Sequence, residues 1–400
     1  MRGDMKFTVA ALFLFASSAF AQTSDQITFQ RTFLLRNVAG TSFNPGDTPH
    51  HPHLAERGAW TTFYEGSIFA SYSNEYGPEN ARHEIFSTNW VAAGAQHPLG
   101  SRGLVLFRGR VSLEPFTVAE GGYPQMLQFV SAESGGPLMD SMRAHDLVGE
   151  AAVQLGYRLT TASFLHLYAA PVGSPALGPV PYAQRRSSEE FAEAPFAYDV
   201  QETMHDSTKV VTAGFGSRWI SIEGSVFHDA VTTERHTTIA GGDIDSNSYR
   251  LVLTPHRNFA LQVSRGKLGD DARDISTASI TWANDWAAAS AIWTNRDTRR
   301  GEELQSGGLE TTFRLGRNTF MGRAESVDRP SGFLSNPDVE RTAHFTFGYL
   351  YDLFTRGGYR GGVGFNFDYH TQTHDLENVY GHKPQAIYVF ARFRTDSARK

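Results

Sequence analysis

The sequence predicts an all-β chain: a single antiparallel transmembrane β-barrel of about 16 strands, with short periplasmic turns and long extracellular loops. Three observations predict it. Segments with apolar residues at every second position recur from residue 59 to residue 395. The links between them alternate between short and long. The face opposite the apolar one carries ionised side chains, which a strand keeps only where that face meets water or a partner.

The strand segments follow in order. The first four run over 59–72, 83–94, 103–113 and 145–159. The next four cover 162–170, 207–217, 219–229 and 247–255. Then come 259–266, 274–283, 286–295 and 306–316, and finally 319–327, 341–354, 359–370 and 385–395. Most are long enough for a tilted strand to cross a bilayer, which takes about 9–11 residues. Links after even-numbered segments are mostly one to three residues, as at 160–161, 218, 284–285 and 317–318. The link at 95–102 is the longest of that set. Links after odd-numbered segments are usually longer, as at 114–144, 171–206, 230–246 and 371–384. A soluble sandwich does not alternate this way along its whole length.

The stretch GVGFNFDYH (362–370) shows the facing rule. Residues two apart share a side of a strand. Phe365, Phe367 and Tyr369 therefore face lipid, while Asp368 and His370 face a wet interior. The same parity places Arg108 and Arg110 of the third segment inside. It does so for Asp146, Glu150 and Arg158 of the fourth, Glu223 of the seventh and Arg250 of the eighth. Glu310 and Arg314 of the twelfth and Arg323 and Glu325 of the thirteenth join them. An Arg or Lys facing the bilayer midplane would cost roughly 2–4 kcal/mol. The interior charges are roughly balanced, which argues against strong selection by sign.

The chain opens MRGDMKFTVAALFLFASSAFAQ. Arg2 and Lys6, a short apolar run and Ala19-x-Ala21 form a secretory signal peptide over 1–21. Its removal takes away Arg2, Asp4 and Lys6, so the formal charge moves from −6 to −7. That mild acidity predicts no nucleic-acid partner. Residues 22–58 read as a periplasmic leader, 59–395 as the barrel and 396–400 as a tail. There is no cysteine, which excludes thiol chemistry and thiolate metal sites.

Four constellations carry candidate chemistry. TPHHPH supplies His50, His51 and His53, imidazoles able to bind Cu(II), Zn(II) or Ni(II); the alternative is a solvated leader. MHDST places His205 and Ser207 on one side of a starting strand with Asp206 on the other, which raises hydrolysis. The proline-rich link with Arg185 and Arg186 predicts a loop of defined shape, either folded into the barrel mouth as a constriction, with His205 and Asp206 at its end, or an outer cap with no role in permeation. Met126, Met139 and Met142 with His145 offer soft ligands for Cu(I), although Met more often fills space.

The last strand, Ile387 to Phe393, resembles the aromatic-ended closing strand of bacterial outer-membrane proteins, with Arg394 to Lys400 added after it. GGYPQMLQ (121–128), GSPALGPVPYAQR (173–185) and EAPFAYDVQETMHDST (193–208) resemble a family of porin-like outer-membrane barrels with no assigned activity. That resemblance implies association with copper or heavy-metal handling genes. The leading expectation is a non-enzymatic, porin-like passive channel for small polar solutes or ions in the cell outer membrane, with no cofactor. The alternative is a non-conducting metal-associated binding or structural barrel, and the third is an outer-membrane lipid hydrolase. Expected partners are outer-membrane lipid and lipopolysaccharide, the barrel-assembly machinery, the permeating solutes and, optionally, further copies of the chain.

Overall fold

The structure, a computed structural model, describes residues 33–34, 37–49, 51–77, 82–130, 138–201, 207–230, 236–298, 301–330, 339–371, 376–377 and 380–396. The expected signal peptide, His50, His205 and Asp206 lie outside the described residues.

Sixteen antiparallel strands close into one barrel. The wall strands are β1 (Trp60–Tyr76), β2 (His83–Leu99), β3 (Gly103–Val111), β4 (Val148–Arg158), β5 (Ser163–Val172) and β6 (Ser207–Ser217). They continue as β7 (Ile220–Asp229), β8 (Ser246–Leu253), β9 (Phe259–Leu268), β10 (Arg273–Ala283) and β11 (Ala287–Asp297). The ring is completed by β12 (Glu303–Leu315), β13 (Asn318–Arg329), β14 (Glu340–Arg356), β15 (Tyr359–Thr371) and β16 (Gln385–Thr395). Each wall strand pairs with its neighbour in the chain, and β16 pairs with β1 from Gln385↔Tyr76 to Arg394↔Ser67. All sixteen expected segments are strands. The second runs on to Leu99, so the link expected at 95–102 shrinks to three residues. Pro98 is accommodated because it sits at the rim opposite Leu104, where a missing N–H matters least.

The period-two pattern resolves into two faces. Outward positions carry Ile85, Phe107, Ile222, Val263, Phe347 and Val389, all substantially exposed. Trp60, Trp219 and Trp286 ring the short-turn end, where the amphipathic indole suits a membrane interface. The outward charges Arg265, Lys267 and Asp274 cluster at the long-loop ends of β9 and β10 and pair with one another. Turns of two to five residues close the short-turn end; in the two-residue turn before β15, Gly357 and Gly358 adopt φ +63° and +80°, backbone that suits the tight hairpins favoured by strand twist.

Inward positions carry polar and charged side chains together with apolar ones such as Leu106, Phe227, Leu350 and Phe390, and most are covered by protein. The paired strands Tyr123–Val130 and Leu138–Met142 pack on Phe86 and Tyr388 of the wall, and two further chain segments insert. Residues 173–201, between β5 and β6, fold into the interior from the long-loop end. Residues 37–49 enter from the short-turn end. The second insertion corrects the expected periplasmic leader: Gly40 N donates to Glu150 (3.0 Å) and Asn37 to Gln154, both on β4. The leader's next stretch, His53–Arg57, adds a short strand to the lower part of β1.

Candidate permeation site

The inserted loop is shaped before it meets the wall. Pro175, Pro179 and Pro181 restrict its backbone, and a 3₁₀ turn over Tyr182–Gln184 follows. Arg185 N donates to Pro181 O (2.8 Å) and Glu189 N to Arg185 O (2.9 Å). This compact turn presents Arg185 to the wall and keeps Arg186 among the loop's own carboxylates.

Both arginines are buried in ion pairs. Arg185 Nε donates to Glu310 of β12 at 2.8 Å. Arg186 pairs with Glu189 within the loop. Ser187 Oγ donates to Ser290 (2.7 Å), and Thr312 Oγ1 donates to Ser187 O (2.9 Å). Glu190 holds Arg392 and, at 2.9 Å, Arg394 of β16. Glu189 lies 3.1 Å from Arg394 and 3.2 Å from His51. Burial alone would raise Glu190, but Arg392 and Arg394 override it and hold its pKa at about 2. Glu189 is also driven well below the carboxylate range: burial opposes this, and His51, Arg394 and Arg186 outweigh it. Farther along, Phe196 N and Ala197 N each donate to Glu325 at 3.0 Å. Arg323 stacks on the Phe191 ring, 4.1 Å from its centroid, and lies 3.4 Å from Glu310.

The other side of the interior is neutralised within the wall. Arg108 of β3 meets Glu150 of β4 at 2.9 Å, and Arg250 of β8 meets Glu223 of β7 at 2.7 Å. Segment 37–49 fits against these pairs through its main chain. Arg108 donates to Asn37 O (3.0 Å) and to Gly40 O, and Arg250 donates to Thr41 Oγ1 (2.7 Å).

Most of the expected interior residues are there, with two corrections. Arg110 points inward and donates to Gln184 Oε1 (2.7 Å). Arg314 pairs with Asp352 (3.3 Å), and Asp368 and His370 lie beside His344 under the Phe196 ring. Asp146, by contrast, precedes β4 and pairs with His236 of a neighbouring loop (2.8 Å). Arg158 ends β4 at the short-turn rim and donates to Ser101 O (2.7 Å).

The expected metal constellations do not assemble among the described residues. His51 turns to Glu189 and Asp396, whereas His53 stacks on Tyr64 and bonds Gly358 O (2.7 Å). Met126 and Met142 pack in separate apolar clusters. His145 is 2.8 Å from Glu114. Burial disfavours its charged form, but the Glu114 carboxylate outweighs burial and raises its pKa. Ser207 is buried at the start of β6.

Two clefts remain between the loop and the wall of β1–β3. The first, about 700 Å³ including its open mouth, reaches Glu114, His145 and Asp146 at the long-loop end. The second, about 710 Å³ on the same measure, reaches Pro45, Pro52 and Thr395 at the short-turn end. Ser67, Trp90, Ala183, Gln184 and Glu189 line both. Together their linings reach from residues at one end of the barrel to residues at the other.

No family model and no curated protein matches the chain. Solved structures share its fold. The OmpF complex with daunomycin from Salmonella typhi aligns with TM-score 0.56 at 8% identity, over 86% of this chain and 100% of that one. An anion-selective porin from Comamonas acidovorans aligns with TM-score 0.51 at 12% identity, over 84% and 99%. OmpT, an outer membrane protein of Vibrio cholerae, aligns with TM-score 0.50 at 7% identity, over 86% and 99%. At these identities the likeness is one of fold: an outer-membrane β-barrel of the porin type.

Proposed function

We propose that this chain is an outer-membrane channel for passive movement of small polar solutes or ions, narrowed by its own loop. One observation carries the reading: two clefts that share Ser67 and Gln184 in their linings reach residues at opposite ends of the barrel. Their lining holds both signs of charge, with Arg110 and Arg394 against Glu65, Glu114 and Glu189. Such a lining replaces part of a polar solute's hydration without trapping one sign of ion. Width and hydrogen bonding then do the selecting, and no covalent step or cofactor enters.

The densely filled side at β11–β16 favours a second reading, a non-conducting barrel whose loops are the working surface. Conductance of the purified protein in planar bilayers separates the two. The channel reading expects small, steady unit conductance, reduced by Ser67→Trp, which puts an indole at a position that lines both clefts. Absence of conductance from folded, heat-modifiable protein would overturn the channel.

A further inference from the structure

Three buried side chains near the long-loop ends of β14 and β15 have more ligand atoms than partners. His344 and His370 stand directly opposite each other across the two strands. Asp368 precedes His370 by two and so shares its face. Neighbouring strands lie about 4.8 Å apart, which sets the three side chains against one another. All are 1% exposed or less. His344 Nε2 is 3.3 Å from Asp368 Oδ2, and the imidazole rings stack with centroids 4.6 Å apart. One ligand atom from each residue falls within 4.8 Å of the others. Neither ring nitrogen of His370 has a hydrogen-bond partner, and neither does Asp368 Oδ1. Buried polar atoms are rarely left this way, and an ion is one of the things that satisfies them.

We propose that His344, Asp368 and His370 bind one divalent transition-metal ion, with water completing the shell. Two imidazoles and a carboxylate suit Zn(II), Cu(II) or Ni(II), whereas Ca(II) and Mg(II) take all-oxygen sets. Glu325 Oε2 lies 3.3 Å from His344 Nδ1, the place of the outer carboxylate that orients a ligating imidazole. With Nδ1 held there, Nε2 faces Asp368 as the ligand atom. A tetrahedral ion asks for donors about 3.3 Å apart, so the set must contract. His370 turns inward for this without giving up a hydrogen bond, since it makes none. Phe196 covers both imidazoles, with ring centroids 5.0 and 5.4 Å away. Nearby Arg329 is engaged elsewhere, stacking on that ring and donating to Phe196 O. The carboxylates of Asp368 and Glu325 offset the charge of the ion.

Chelator-stripped, detergent-folded full-length protein titrated with Zn(II) by calorimetry tests this, with Co(II) absorption as a geometric readout. One equivalent per chain is expected, with the intense visible bands of low-coordinate Co(II). His370→Ala and Asp368→Asn should each weaken binding at least about 10-fold. His51→Ala should leave it unchanged. No stoichiometric uptake by the unsubstituted protein would overturn the proposal, as would undiminished uptake by His370→Ala. That variant loses no hydrogen bond, so its heat-modifiable gel mobility should stay normal and its result stands even if Asp368→Asn fails to fold.

Discussion

Two pieces of chain fill the barrel, and they are held by different physics. Segment 37–49 carries one charged residue, Asp47, which pairs at the rim with Arg257 (2.9 Å). Inside, it offers mainly main-chain groups to wall arginines already matched to wall carboxylates. Loop 173–201 carries six charged residues, and several complete ion pairs with the wall, above all at Arg394, which meets both Glu189 and Glu190, whereas Arg392 meets Glu190 and also Asp352 of β14 (2.7 Å). A near-neutral insert can leave without stranding a charge. A charged one cannot, because its departure takes both loop carboxylates from the buried Arg394 guanidinium. The loop is therefore the fixed element and the N-terminal segment the one that moves at low cost.

The largest expected effect tests the loop. Replacing Glu189 and Glu190 together by Ala takes both loop carboxylates from Arg394 and should destabilise the barrel by about 3–5 kcal/mol, the usual cost of breaking one side of a buried pair. Thr41→Ala should cost under about 1.5 kcal/mol, because Arg250 keeps Glu223. The temperature at which each variant loses its folded gel mobility measures both, and equal losses would break the contrast.

A smaller effect tests the N-terminal segment. Gly40 has φ +53°, and an added Cβ would sit 2.3 Å from Ser174 O. Left-handed backbone alone costs a residue with a side chain roughly 1–2 kcal/mol, so Gly40→Val should cut the docked population about tenfold or more. Bilayer conductance should rise while the melting of the barrel is little changed. A collapse of stability instead would make this segment structural.

The smallest effect is a pH dependence. Glu190 is depressed to about 2 from the ordinary 4.5. Its stabilising contribution is therefore complete above the ordinary value and is lost as pH falls toward about 2. Glu189 is shifted in the same direction. Conductance should not rise between pH 8 and pH 5, where Glu193 of the same loop, raised to about 7 by burial and by Asp368, takes up a proton and sheds the cost of its buried charge; it should rise only in strong acid, as the loop loosens. An opening already at pH 6 would place the moving charge elsewhere.

The wall was legible because parity is a local property: Phe367 outside and Asp368 inside follow from one strand alone. The inward loop was legible in part from its prolines. The N-terminal insertion was not, because NVAGTSFN docks through main-chain atoms and short uncharged side chains, Asn37, Thr41 and Asn44, which form no periodic pattern to read. Asp146 was misplaced by carrying the parity of β4 beyond its true start. His344 went unnoticed for a different reason. AHFTF and FDYH each look like ordinary alternation, and only the pairing register of β14 with β15 brings their histidines face to face.

The short strand His53–Arg57 on the lower part of β1 bears on how the ring is sealed. It occupies the same edge that β16 joins higher up. The arriving last strand thus finds a doorstop below and one remaining berth above. A slip of a single residue there would turn Arg392 and Arg394 toward hydrocarbon and strand Glu190. Fidelity of assembly is in this way written into the beginning of the chain, which waits at the seam for its end.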